Sequence, residues 1–366
     1  MDKEIICRLS LKKVPHIGDV HARALFSHFG SAEEVFKAPL SQLEKIEGIG
    51  TIRAKSIRQF KNFLPAEKEL NFVLKHGIEL LCFGDNGYPK RLTNCTDAPF
   101  LLFYKGNTPL NASRIISVVG TRNNTEYGKQ CCEQLIADLS ESNIIVVSGL
   151  AYGIDTIAHK ASLHNNINTI AVLAHGLDRI YPPSNTGLAR EIIDQGGLLT
   201  DFPNGTAPDK QNFPSRNRIT AGLCDALIII ETGKKGGSLI TADIAFSYNR
   251  DIFAFPGKAT DAKSQGCNDM IKTQKAMLIS NAADVLETMR WNPTTQKSKI
   301  NQRSLFTTLN EEESKVFNFL MLQKESSIDD IMLGVPLSQS KLAQALLTLE
   351  MNGQIQTLPG KIYKCL

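Results

Sequence analysis

Between residues 115 and 255 the chain repeats one alternation: a short, mostly apolar run followed by a longer stretch whose apolar positions recur three and four apart. The short runs at 115–119, 144–147, 169–173, 198–200, 226–230 and 251–255 read as strands. Helices are predicted near 126–140, 156–163, 186–195, 217–223 and 239–248. Strands as apolar as Ala226-Leu227-Ile228-Ile229-Ile230, each separated by a helix, need cover on both faces. The expected fold class is α/β: a Rossmann-like, doubly wound, mainly parallel sheet.

The flanks carry a different pattern. The first 64 residues show only helical spacing and hold two copies of one motif. Val14-Pro15-His16-Ile17-Gly18 runs into Val20-His21-Ala22-Arg23-Ala24-Leu25, and Ile46-Glu47-Gly48-Ile49-Gly50 into Ile52-Arg53-Ala54-Lys55-Ser56-Ile57. Each places a glycine turn ahead of a basic amphipathic helix, a pattern similar to the helix-hairpin-helix module. Two readings stand side by side: hairpins whose backbone N–H groups meet phosphate, or connectors of a small bundle. Beyond residue 290 the segment 291–304 is polar, contains Pro293 and reads as a linker. Residues 305–366 predict three helices, the second beginning at Ser326, and a terminal hairpin turning at Pro359-Gly360, the outline of a winged helix. The domains expected are therefore 1–64, the core 65–290 and 305–366.

Composition narrows the class. The chain has 366 residues, 42% of them hydrophobic, enough for more than one core. No apolar stretch approaches the ~18 residues a spanning helix needs, and no charged-then-apolar leader follows Met1, so a cytoplasmic protein is expected. The eight cysteines form no C-x-x-C pair and are expected as reduced thiols, mostly buried. Net charge is +4, but residues 1–64 carry 11 Lys and Arg against 7 acids whereas residues 305–366 carry 5 against 7. Phosphate contacts are thus expected in the first two regions, and the third reads as a regulatory or protein-binding wing whose third helix offers only Lys341 and Gln344 as base readers.

Candidate chemistry lies in the turns after the strands. Gly120-Thr121-Arg122, Ser148-Gly149-Leu150, His175-Gly176-Leu177 and Thr232-Gly233-Lys234-Lys235-Gly236-Gly237-Ser238 are rich in glycine and hydroxyls, which suits anions next to helix N-termini. Neither G-x-x-x-x-G-K-[ST] nor a strand-linked G-x-G-x-x-G occurs, so ATP and NAD lack their usual support and no cofactor is expected. His159, His175, Asp155, Asp178 and Glu231 are the available acid–base groups, and no spacing joins them into a catalytic set. Lys210 and Phe213, leading into Arg216, Asn217 and Arg218, combine backbone-tracking cations with an aromatic, as single-stranded DNA requires. Phe213 as a buried loop anchor is the other reading.

Six segments, taken in order, resemble the successive motifs of the DNA-processing protein A (DprA, or Smf) family. They are Gly120-Thr121-Arg122 through Tyr127-Gly128; Ser148-Gly149-Leu150-Ala151-Tyr152-Gly153-Ile154-Asp155 with Ala158-His159; Gly176-Leu177-Asp178 with Tyr181-Pro182 and Asn185; Phe213-Pro214-Ser215-Arg216-Asn217-Arg218-Ile219 with Ala221-Gly222-Leu223; Gly237-Ser238-Leu239-Ile240-Thr241-Ala242; and Phe255-Pro256-Gly257. The resemblance implies a non-enzymatic protein that binds single-stranded DNA taken up in natural transformation, shields it and helps load RecA recombinase. It implies dimers formed through the core. Carried over residue by residue, Arg122 and Lys210 would hold phosphates, Phe213 would stack on a base, and Arg216, Asn217 and Arg218 would complete the basic pocket. Gly120, Thr121, Ser148, Gly149, Gly237 and Ser238 would line it with backbone or hydroxyl donors. The chain departs from some members after Tyr181-Pro182, where Pro183-Ser184 replaces a lysine. The alternative is a Rossmann-like nucleotide phosphoribohydrolase; those enzymes carry Pro-Gly-Gly-x-Gly-Thr-x-x-Glu, and the nearest stretch here, 236–242, has no glutamate at the matching place.

Overall fold

A computed structural model describes residues 2–291 and 309–366; the remainder of the expected linker lies outside the described residues. Two compact units divide between Leu278 and Ile279. The first opens with six helices, α1 (Asp2–Leu11), α2 (Asp19–Phe29), α3 (Ala32–Lys37), α4 (Leu40–Leu43), α5 (Gly50–Gln59) and α6 (Leu64–Lys75). There follow β1 (Glu79–Cys82), α7 (Lys90–Thr93), β2 (Leu101–Gly106), β3 (Ile115–Val119), α8 (Glu126–Asp138), β4 (Ile145–Ser148), α9 (Ile154–His164) and β5 (Thr169–Val172). The unit closes with α10 (Thr186–Gln195), β6 (Gly197–Thr200), α11 (Asn212–Gly222), β7 (Ala226–Ile229), α12 (Gly237–Ser247), β8 (Asp251–Ala254), α13 (Gln265–Lys272) and β9 (Met277–Leu278).

The sheet has nine strands in the order β1-β2-β6-β5-β4-β3-β7-β8-β9. From β6 to β9 every pairing is parallel, with Ser117 of β3 opposite Val147 on one side and Leu227 on the other. Every residue of β3, β4, β5 and β7 is buried, which is why these strands are mostly apolar rather than alternating. The pair β1 and β2 extends the sheet antiparallel beyond β6, giving the mostly parallel, mixed sheet expected of this class.

The helical start was expected as a domain of its own. It shares a hydrophobic core with the sheet, in which Leu25, Val35, Leu43 and Ile57 pack with Phe100, Leu101 and Phe103 of the β2 region. Both hairpins form where the repeated motif places them, with α2 starting after Gly18 and α5 at Gly50. Gly30 ends α2 at φ 76, and its N–H returns to the Phe26 carbonyl. The arginines of the hairpin helices turn inward. Arg53 donates to the carbonyls of His16 and Gly48, both at 3.1 Å, and so staples the two hairpin loops to each other. Arg23 donates to Cys95 O at 3.3 Å and lies 5.3 Å over the Phe83 ring. Both cations serve as braces.

In the second unit, α14 (Ala282–Thr288) precedes α15 (Glu311–Gln323), β10 (Glu325–Ser327), α16 (Ile328–Gly334), α17 (Gln339–Met351), β11 (Ile355–Leu358) and β12 (Ile362–Cys365). A full capping box at Asn310 and Glu313 starts α15, and the strands pair antiparallel in the order β10-β12-β11. This is a winged helix around Val316, Leu320, Ile331, Leu342, Leu346 and Leu349. Residues 325–327 were expected partly within the second helix but pair with β12; three polar residues carry no hydrophobic signal, and the pairing alone makes them a strand. Lys341, an expected base reader on α17, is ion-paired with Glu312 at 2.6 Å. None of the eight cysteines is in a disulfide, and six of them are buried. Among the described residues no helix is long and apolar enough to cross a membrane.

Candidate nucleic-acid interface

Strands β3, β4, β5 and β6 step outward in one direction, whereas β7 returns to pair with the opposite side of β3. The loops leaving β3 and β7 therefore diverge, and a crevice opens at the carboxyl ends of the strands. It holds a cavity of about 780 Å³. Gly120, Thr121, Arg122, Gly149, Lys210, Phe213, Arg216, Asn217, Gly237 and Ser238, all expected site residues, line this space. Residues 120–122 and 236–238 meet there although more than 100 positions separate them.

The aromatic end is built from three chain segments. Arg122 is exposed, and its guanidinium lies 5.0 Å from the Phe213 ring centroid, in cation–π range. Tyr181 packs near the same Phe213 ring, with centroids 6.0 Å apart. Phe213 is half-buried, so it is neither a fully buried anchor nor a free paddle. His175 fixes Tyr181: its Nδ1 donates to Gly176 O at 2.9 Å, and its Nε2 accepts the Tyr181 N–H at 3.2 Å. Burial holds the His175 pKa below its ordinary value, consistent with the neutral ring this pairing needs. Lys210 stands exposed on the rim.

Helix α11 starts five residues earlier than its pattern suggested, at Asn212, so Phe213-Pro214-Ser215-Arg216 is helical rather than a loop leading into a helix. Pro214 lies in its first turn. A proline in the first helical turn removes only an N–H that has no intrahelical partner, so the helix passes through it. The face carrying Phe213, Arg216, Asn217 and Thr220 then looks into the cavity at helical spacing. Arg216 is 4% exposed and lies in the cavity floor, donating to Val172 O at 2.6 Å and to Asn217 Oδ1 at 3.1 Å. Gly149 makes room for it, since a Cβ there would stand 1.9 Å from Arg216 Nη1. The glycine is thus required by the protein's own arginine.

Two expected site residues fall outside. Arg218 projects from the opposite face of α11, 9% exposed, and its Nη2 pairs with Asp19 at 3.0 Å and with Asp201. Its remaining donors reach the carbonyls of Asp97 and Ser215. Two residues along a helix turn the side chain by ~200°, so Arg216 and Arg218 cannot share a face. Ser148 is fully buried, and its hydroxyl donates to Val118 O at 2.7 Å. Ser238 lines the cavity, but its hydroxyl donates to Thr232 Oγ1 at 2.7 Å, which leaves the open backbone at Gly237, where a Cβ would meet nothing within 4 Å.

Glu231 and Asp178 are engaged in structural contacts. Glu231 accepts from the Thr125 N–H at 2.8 Å and hydroxyl at 2.7 Å, holding the residue that caps α8. Asp178 accepts from the Gly205 N–H at 3.0 Å and pairs with Arg179. Burial pushes the His159 pKa down to about 3, with nearby Arg216 adding to the effect, and its Nδ1 meets Thr169 Oγ1 at 2.7 Å. Burial pushes the Asp155 carboxyl up while Arg216 pulls it back. Among the described residues no group of three or more His, Cys, Asp or Glu is arranged to hold a metal. Sequence reasoning gave no role to Tyr181 or Thr220; the i, i+3, i+4, i+7 series from Phe213 contains Thr220 once the helix start is known.

Known proteins resemble this chain in sequence and fold. Residues 79–290 match the family model described as DNA recombination-mediator protein A, residues 10–64 a helix-hairpin-helix motif and residues 307–361 the DprA winged helix domain. Protein Smf of Synechocystis sp. is 35% identical over 276 residues, 74% of this chain and 69% of its own length. DNA processing protein DprA of Streptococcus pneumoniae is 44% identical over 202 residues, 55% of this chain and 71% of its own. The X-ray structure of the latter protein superposes with a TM-score of 0.66 at 34% identity, covering 77% of this chain and 96% of that one. A structure of DNA processing protein A from Helicobacter pylori, described for its unique single-stranded DNA binding mode, gives 0.53 at 30% identity, over 58% of this chain and 95% of that one. With its mostly parallel core, its hairpin helices and its winged helix all matched, the chain belongs to the DprA/Smf family of DNA recombination-mediator proteins.

Proposed function

We propose that this chain binds single-stranded DNA in the cavity at the carboxyl ends of β3, β4 and β7 and acts there as a binder rather than a catalyst. The observation that carries the reading is the stack of Arg122 on Phe213, with Tyr181 behind it and Lys210 on the same rim. Cations that follow a backbone beside an aromatic that receives a base suit a single strand and do not require a duplex groove. The solved relative described for single-stranded DNA binding supports the same choice. The structural engagement of Glu231 and Asp178 supports binding over hydrolysis.

From membership of the family we extend the proposal to its biology. The chain shields single strands that enter during natural transformation and helps load RecA onto them in the cytoplasm. Two copies joined through the core would double the contacts with one strand and raise avidity through effective concentration.

The test is binding of labelled oligo-dT and a matched duplex at two salt concentrations, for the wild type and an Arg122→Ala, Lys210→Ala variant. The expected outcome is a salt-sensitive preference for the single strand, with a shallower slope in the variant, by about 0.7 for each phosphate contact removed. Equal affinity for duplex, unaffected by the substitutions, would sink the reading.

A further inference from the structure

The edge of the sheet that opens the cavity continues past it. Parallel strands send their carboxyl ends the same way, so the loops that follow β3, β7 and β8 lie side by side in that order, with β3 and β8 about 10 Å apart. The loop after β7 gives Gly236, Gly237 and Ser238 to the cavity wall, and just before them it carries Lys234 and Lys235, both exposed. The loop after β8 carries Lys258, exposed, and Lys263, half-buried. Backbone contacts join the two loops: Gly266 donates its N–H to Thr232 O at 2.9 Å, and a Cβ on Gly233 would stand 3.1 Å from Ala262 O. None of the four lysines has an ion pair or a side-chain hydrogen bond among the described residues. Asp261 is the one acid in 232–238 and 256–264, and it accepts from the Lys263 N–H at 3.0 Å and the Ser264 hydroxyl at 3.1 Å. Unpaired cations on joined loops repel one another, a cost that a polyanion removes.

An aromatic stands beside them. Tyr127, in the first turn of α8, is 46% exposed, and its hydroxyl donates at 2.7 Å to the carbonyl of Pro256, two residues before Lys258. That bond ties the ring to the loop after β8 while leaving nearly half of the residue open to solvent. Cations beside a held aromatic repeat the chemistry of Arg122, Lys210 and Phe213 on the neighbouring loops. Resting on the single-strand reading above, we propose that a strand seated in the cavity continues across the loops after β7 and β8, with Lys234, Lys235, Lys258 and Lys263 on its phosphates and Tyr127 against one of its bases. Exposed lysines alone are a solvated face. Continuity with the cavity wall at Gly236 and Gly237, together with the fixed aromatic, assigns these four to the strand.

The experiment measures the salt dependence of affinity for oligo-dT of about 4 and about 20 nucleotides, lengths that bracket the site sizes of single-strand binders, and for a matched duplex. The proteins are the wild type and a variant combining Lys234→Gln, Lys235→Gln, Lys258→Gln and Lys263→Gln, with thermal melting as the check on folding. The wild type should show a steeper slope on the long strand than on the short one. The lysine variant should lower the long-strand slope by up to about 2.8, at about 0.7 for each phosphate contact removed, and leave the short-strand slope unchanged. Tyr127→Ala should weaken long-strand binding about tenfold at unchanged slope, whereas Tyr127→Phe, which drops only the hydroxyl, should stay near wild type. A long-strand slope lowered by less than one contact, or lowered equally on the short strand or the duplex, overturns the phosphate path. A Tyr127→Ala variant that binds the long strand as wild type does overturns the base contact. Failure of the parent reading looks different: the wild type then shows no salt-sensitive preference for either single strand over duplex.

Discussion

Replacing Arg218 by Met separates a structural arginine from a DNA contact. The guanidinium holds Asp19 and Asp201, with side-chain exposures of 11% for Arg218, 14% for Asp19 and 5% for Asp201. Burial pushes the Asp19 carboxyl up, yet Lys12 and Arg218 outweigh it and hold it below the ordinary aspartate range. Burial dominates at Asp201 and raises it despite Arg218, and one of its oxygens has no partner among the described residues. In the variant Asp19 keeps Lys12, whereas Asp201 loses the cation that pairs with it. Removing one partner of a buried pair costs about 3–5 kcal/mol, and the retained lysine argues for the lower figure. At roughly 2–4 °C per kcal/mol for a unit of this size, the melting temperature should fall by about 6–12 °C. The cost should depend on pH with a definite sign. Without Arg218 the Asp201 carboxyl, already raised by burial, titrates at still higher pH when folded than when unfolded, so the penalty is full at neutral pH and shrinks as pH falls toward ~4, the unfolded aspartate value. Urea and thermal unfolding at pH 7 and pH 5, repeated with Arg218→Met combined with Asp201→Asn, measure both effects; the double variant should recover much of the loss. A variant that melts within a degree of wild type but binds oligo-dT with a shallower salt dependence would refute the reasoning and return Arg218 to the DNA.

Phe213→Ala should weaken oligo-dT binding by about 1–3 kcal/mol with little change in salt slope, since stacking releases no counterions; titrations at two salt concentrations check it. Deleting residues 305–366 should leave single-strand affinity nearly unchanged, because that segment is net negative and Lys341 is engaged with Glu312; a large loss in the same titration would place the wing on the DNA.

The fold was legible because its strands are buried on both faces and its helices on one, and burial writes itself into periodicity. The hairpin motifs and the cap at Asn310 were legible for a similar reason, since both are local. Strand β10 was not, because its three residues owe their conformation to β12. Arg218 was expected beside Arg216 and lies away from the cavity, because residues two apart on α11, which starts at Asn212, point to opposite faces.

The chain alone thus determined what depends on neighbours in sequence: the alternation of elements, the glycine turns that follow the strands, and the motifs that mark the family. The tertiary structure decided which of those turns meet. Because β7 pairs with β3 and not with β6, residues 120–122 face residues 236–238 across one crevice. Arg122 stacks on Phe213 there, and Thr220 lines the same cavity from α11. Strand order is set by how whole faces pack, a sum over many distant contacts that no local stretch encodes.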